Sequence, residues 1–220
     1  RRRRTQVAAL PSVVGQPGPT FAERLWRAGR GGNFRCMKVL VTGGIRCGKS
    51  LYAENLLADA SAVTYVAPGY AADPSHDPEW AARVYNHQKR RPRHWTTIET
   101  VDIASALRAA ESPVLIDCLG TWLSRTIDGW GVWEKPFEQW RHRFDDALMD
   151  FLDAWHGSSQ LTIAVTNEVG WGLVSEYPSG RLFADLMGRL NYRVGGASDD
   201  VVLMVSGRAL HLGSDANYHR

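Results

Sequence analysis

The sequence lacks any run of 18 apolar residues, so it offers nothing with the length of a membrane-crossing helix. It has only three cysteines, Cys36, Cys47 and Cys118. Their spacing fits neither a disulfide framework nor a zinc site, which points to a reducing, cytoplasmic setting. No long low-complexity linker and no internal repeat divides residues 37–220. An excess of positive charge is also missing from that body. The chain carries net charge +3, but residues 1–36 hold eight arginines against the single acid Glu23. Removing them leaves 18 basic and 22 acidic residues, a net of −4. That balance argues against nucleic-acid binding by the body.

Residues 1–36 therefore read as a disordered basic extension, with a targeting segment or a nucleic-acid-binding arm as the competing readings. The segment lacks the apolar stretch of a secretory signal. Only positions 21–26 look helical. Residues 37–220 read as a single domain, since 44% of the residues are apolar and the length suits one core.

Five β-branched runs suit buried strands: 38–42, 62–67, 114–117, 161–166 and 200–207. Helical stretches separate them, which predicts an α/β, three-layer P-loop fold with a mostly parallel central sheet. A helix is expected from about 79 to 90. Apolar residues recur every three or four positions in 137–155 and 181–194, the stripe of a helix facing a sheet. The stretch 126–136 reads as a surface loop whose Trp130 and Trp133 cover a ligand or cap an apolar edge.

Chemistry enters at GGIRCGKS, residues 43–50. Gly43-x4-Gly48-Lys49-Ser50, between a strand and a helix, fits the phosphate-binding loop. Glycines let backbone N–H groups turn toward phosphate, Lys49 reaches the terminal phosphates, and Ser50 places its hydroxyl on Mg2+. A second acid is needed near the metal. Asp117, ending the third predicted strand, fits that role; capping the next helix is the alternative. A third feature is His87, followed by Lys89, Arg90 and Arg91 and one helical turn beyond Arg83. Neutral imidazole attacks phosphorus well, and nearby cations stabilise a transferring phosphate. A solvated basic helix end accounts for the pattern equally well.

Taken in order, these motifs resemble the bifunctional adenosylcobinamide kinase / adenosylcobinamide-phosphate guanylyltransferase family. VLVTGGIRCGKS is similar to the family's VTGGARSGKS. EWAARVYNHQKRRPRHWTTIE is similar to its E-M-x-x-R-I-x-x-H-x-x-x-R-P-x-x-W-x-T-x-E block. LIDCLGTWLS, TNEVGWGLV and the segment from Arg181 to Leu212 resemble further family motifs, and the likeness covers about 37–213.

The resemblance implies a covalent GMP–histidine at His87, formed from GTP. GMP then passes to adenosylcobinamide phosphate, giving adenosylcobinamide-GDP. The kinase step phosphorylates adenosylcobinamide with ATP or GTP. Nucleotide contacts carried over by the motifs are Gly43, Gly44, Ile45, Arg46, Cys47, Gly48, Lys49, Ser50, Ala67, Pro68, Gly69, Gln88, Lys89, Arg90, Arg91, Glu99 and Asp117, with Ser50 and Asp117 toward Mg2+. A homo-oligomer, specifically a homotrimer, is also implied.

Departures concern detail. The family's Ala-Thr-Ser after the second strand is Ala67-Pro68-Gly69 here, which removes hydroxyls and an N–H. Cys47 replaces a serine. Asn167 and Glu168 are expected near the pocket. Glu99 either contacts nucleotide or caps a helix near residue 100, and Arg181 and Arg189 either contact phosphate or form surface ion pairs. Two other functions stay open on sequence alone. One is a P-loop small-molecule kinase without guanylyl transfer; the other is a nucleotide-binding regulatory protein that uses its basic tail for RNA.

Overall fold

The computed structural model describes residues 36–212. The expectation for the basic extension 1–36 lies outside them, apart from Cys36.

The run KVLVTG is buried at every position and forms β1, Lys38–Gly43. No face of it needs polar residues because it lies between two strands and under helices. The remaining strands are β2 (Thr64–Ala67), β3 (Thr96–Glu99), β4 (Val114–Asp117), β5 (Thr162–Val165), β6 (Asp200–Val205) and β7 (Arg208–His211). They form one seven-stranded sheet in the order β3-β2-β4-β5-β1-β6-β7. All pairings are parallel except β6 with β7. The helices are α1 (Lys49–Leu56), α2 (Pro78–Arg90), α3 (Ile103–Arg108), α4 (Leu119–Trp130), α5 (Arg141–Gly157) and α6 (Pro178–Gly196), and they flank the sheet. The expected α/β fold with a mostly parallel sheet is the one observed.

The two predicted stripes supply much of the core. Phe144, Leu148, Phe151, Leu152 and Trp155 of α5 are buried, as are Leu186, Met187, Leu190 and Val194 of α6. Buried indoles need a partner for their N–H. Trp155 Nε1 donates to the Ala197 carbonyl at 3.1 Å, and Trp122 Nε1 to the Val101 carbonyl at 3.0 Å.

Three expectations need correction. The stretch 126–136 is half helix: α4 runs to Trp130 and stops at Gly131, whose φ of 63° is the left-handed C-cap that glycine favours. Trp130 and Trp133 pack against the core, Trp130 against Trp140 with ring centroids 6.1 Å apart. They cap an apolar edge. Next, residues 96–99 form a strand, and Glu99 ends it instead of capping a helix. All four residues of this edge strand are exposed, so no apolar period marked it. The cap of α3 is Asp102, which accepts from the Ser105 N–H at 3.0 Å. Finally, the run 200–207 is a strand plus a turn. Ser206 and Gly207 both have positive φ, which makes the tight two-residue hairpin that launches β7.

The register collects the carboxyl ends of the parallel strands. Ala67 lies beside Glu99, Asp117 beside Val165, and Val165 beside Val41. Ligands of open parallel sheets sit at that edge.

Candidate functional site

A cleft of about 770 Å³ opens over this edge. The loop after β1 forms one wall. Gly43 has φ +146°, and a Cβ there would lie 2.4 Å from the Met204 carbonyl oxygen. Gly48 has φ +98° as N-cap of α1. These two positions need glycine for conformation and for space. Lys49 is buried and folds back, its Nζ donating to the Gly44 carbonyl at 2.7 Å. The ammonium thus sits inside the curl of the loop. Cys47 turns inward too, with Sγ 3.8 Å from Lys49 Nζ.

Opposite the loop, the C-terminal turn of α2 presents His87. Asp77 caps the other end of that helix, accepting from the Trp80 N–H at 2.8 Å, with Pro78 at the first position. His87 Nδ1 lies 3.4 Å from Asp117 Oδ2 and 3.9 Å from Glu54 Oε1. Asp117 also accepts from the Tyr65 hydroxyl at 2.9 Å and from Ser50. Burial pushes the Asp117 carboxyl pKa up, but the His87 contact and the bonds from Ser50 and Tyr65 outweigh it and hold the pKa below the ordinary value. Asp117 is therefore ionised at neutral pH. Burial, with the Asp117 charge beside it, pushes the Tyr65 phenol well above its usual range, so Tyr65 remains a donor.

Arg90 grips Glu54 with two bonds of 3.1 Å and lies 3.4 Å from His87 Nδ1. Nη2 donates to that nitrogen when the imidazole carries its proton on Nε2, whereas a proton on Nδ1 is matched by the Asp117 and Glu54 carboxylates. Arg91 lies 3.4 Å over the Tyr65 ring and donates to the Thr97 hydroxyl at 3.3 Å. His87 and Arg90 are thus tied to a buried carboxylate pair, which a solvated helix end would not be.

Among the expected nucleotide contacts, Ile45 through Ser50, Ala67, Gly69, Gln88, Arg90, Arg91, Glu99 and Asp117 line the cleft with His87. Gly43, Gly44, Pro68 and Lys89 lie off its wall. Asp117 is not a helix cap; Cys118 takes that position before α4. Asn167 lines the cleft, while Glu168 accepts from the Thr42 hydroxyl at 2.6 Å. Arg189 pairs with Asp145 at 3.1 Å, and Arg181 donates to the Ser175 and Glu176 carbonyls. Both are used away from the cleft. Asp200 opens β6 and meets His211 Nδ1 at 2.7 Å.

Sequence reasoning missed Glu54, Tyr65, Tyr70 and Trp80. Glu54 sits one turn after Ser50 on α1, so an acid at that spacing behind a phosphate loop was the available signal. Tyr65 gave none, because a tyrosine in a buried strand reads as core. The Cys118 thiol is pushed up by burial and by Asp117, which makes it a poor nucleophile.

Ser50 and Asp117 form an oxygen pair of the kind magnesium prefers. Glu54, His87 and Asp117 offer ligand atoms all within 4.8 Å of one another. A cation held by Ser50 and Asp117 would therefore touch the same carboxylate that faces the histidine.

A family model described as cobinamide kinase / cobinamide phosphate guanyltransferase matches residues 39–212. The bifunctional adenosylcobalamin biosynthesis protein CobU of Salmonella typhimurium is 37% identical over 180 residues, 78% of this chain and 97% of the relative. The Escherichia coli protein of the same description is 34% identical over the same shares. The protein called CobP from Pseudomonas aeruginosa is 33% identical over 184 residues, covering 80% of this chain and 97% of its own. A phosphate loop after β1, a histidine at the mouth of the same cleft and this extended match lead to one assignment: the chain belongs to the cobinamide kinase / cobinamide phosphate guanyltransferase family.

Proposed function

We propose that the chain phosphorylates adenosylcobinamide with ATP or GTP and then moves GMP from GTP, by way of His87, onto adenosylcobinamide phosphate. The observation that carries this reading is the chain of contacts from Ser50 of the phosphate loop through Asp117 to His87. It puts an imidazole beside the place where a triphosphate would lie.

In the first half-reaction a neutral His87 attacks the α-phosphorus of GTP. The bond from that phosphorus to the bridging oxygen breaks, and pyrophosphate leaves. Asp117 and Glu54 face Nδ1, so a ring that keeps its proton there has its lone pair on Nε2. They also offset the positive charge that develops on the ring. In the second half-reaction a phosphate oxygen of adenosylcobinamide phosphate attacks the same phosphorus. The P–N bond breaks, the ring recovers its lone pair, and adenosylcobinamide-GDP forms. Lys49, Arg90 and Arg91 supply positive charge along the phosphates. Ser50 and Asp117 would hold Mg2+, which neutralises phosphate charge when bound. The remaining assigned contacts, Gly43 to Cys47 and Gly48, Ala67, Pro68, Gly69, Gln88, Lys89 and Glu99, belong to this nucleotide reading.

We further take the enzyme to be cytoplasmic and homo-oligomeric, with a trimer as the first state to test. Trp171, Leu173, Val174 and Tyr177 are all exposed and support an interface. Among the described residues no helix is long and apolar enough to cross a membrane.

Mass measurement after incubation with GTP and Mg2+ tests the central step. One acid-labile guanylyl group on His87, absent in His87→Ala, is expected. Protein that phosphorylates the corrinoid yet never carries the adduct would reduce the reading to a small-molecule kinase.

A further inference from the structure

The wall of the cleft away from the phosphate loop is aromatic and tightly built. Trp80 lines the cleft on α2, seven residues before His87. That spacing is two helical turns, about 10 Å along the axis, and keeps both side chains on one face. The indole is fixed at two points. Its Nε1 donates to the Tyr70 carbonyl at 2.9 Å. Its six-membered ring closes on Gly69, where a Cβ would lie 2.7 Å from Cζ2 and 3.1 Å from Cη2. Gly69 is not among the glycines with positive φ, so here the glycine is needed for space.

The neighbouring loop has little hydrogen-bonding capacity to spare. Arg125 donates to the Pro68 and Gly69 carbonyls at 3.3 and 2.7 Å, and Pro68 has no N–H. No hydroxyl stands at positions 67–69. A base lying here meets a π face more readily than a row of polar groups.

We infer that Trp80, seated on Gly69, is the stacking platform for the purine base of the bound nucleotide. This rests on the guanylyl-transfer reading only for the direction of the nucleotide. With the α-phosphate at His87 and the outer phosphates at Lys49, the nucleoside extends along α2 toward Trp80. Aromatic stacking tolerates either purine, so the platform would serve GTP and ATP alike, and finer selection falls to other groups.

Calorimetric titration of the full chain with a guanosine triphosphate bridged by α,β-methylene tests this, because that analogue cannot release pyrophosphate. Inorganic tripolyphosphate, which has no base, is titrated in parallel. Trp80→Ala is expected to weaken the nucleotide analogue roughly tenfold while tripolyphosphate affinity stays the same. Trp80→Phe is expected to recover most of the loss. Gly69→Ala is expected to weaken the analogue in the parent chain and to add little in the Trp80→Ala background. Equal weakening of both probes would mean that the ring acts through the helix and not on the base, and would overturn the inference. So would unchanged nucleotide affinity in Trp80→Ala. Circular dichroism confirms that each variant is folded before titration. A chain that binds the analogue through Trp80 but forms no adduct with GTP would leave this inference standing and remove the guanylyl-transfer reading.

Discussion

Asp117 is met by Tyr65, Ser50 and His87 at one carboxylate, and each contact favours its ionised form. Its folded pKa therefore lies below the 3.8 of an ordinary aspartate. A depressed carboxylate stabilises the fold above its unfolded pKa, and that contribution is lost as pH falls through the folded pKa. The melting temperature should thus drop as acidity passes the aspartate range, and Asp117→Asn should flatten that part of the curve. At neutral pH the same substitution should cost about 1–3 kcal/mol, because hydrogen bonds to a buried charge are replaced by weaker ones. Thermal melts of both proteins across the acid range check the two statements together. At this scale the sequence was informative where chemistry has a spacing rule. Lys49, Ser50 and His87 were legible from motif, and Asp117 from its place at a strand end. Tyr65 was not, because nothing local distinguishes a tyrosine that reaches a distant carboxylate from one that packs, and Glu54 offered only its spacing one turn behind Ser50.

At the scale of elements, the loop depends on where β1 meets β6. Gly43 pairs with Met204 in the register, and the Met204 carbonyl closes the space that a side chain would need. Gly43→Ala adds a clash with backbone to an unfavourable φ. A cost of about 2–4 kcal/mol is expected, with weaker nucleotide binding because the strand must shift to make room. In urea denaturation the midpoint should fall while the slope is retained. Strands β1, β4 and β5 were legible because burial on both faces leaves unbroken β-branched runs. β3 was not, since an exposed edge strand has no such constraint. β7 was hidden because Ser206 and Gly207 prolong the preceding run by composition while reversing it by conformation. Helix α4 outlasted its expected end because the stop lies at Gly131, whose left-handed conformation ends it, and not at Gly129, which stays helical.

For the molecule as a whole, the first strand is also the most dependent. β1 lies between β5 and β6, with Lys38 opposite Thr162 and Val39 opposite Asp200. Lys38 adds to this dependence. Its Nζ donates to the carbonyls of Cys36, Ser158 and Gln160 at 2.7, 2.8 and 3.3 Å. Its pKa is lowered by burial, although Cys36 and Asp199 act in the opposite sense. Pairings so far apart in sequence must overcome a large loop-closure entropy before they form. During synthesis on a ribosome, the phosphate loop thus emerges early but has no fixed shape. Its frame is complete only when β6 has left the exit tunnel. Arrested nascent chains exposing residues through 157 should pass through a GTP-agarose column, whereas those exposing residues through 212 should be retained. A loop made well before β6 is then among the last parts to become competent, so a growing polypeptide does not capture cellular nucleotide before the sheet that must hold it exists.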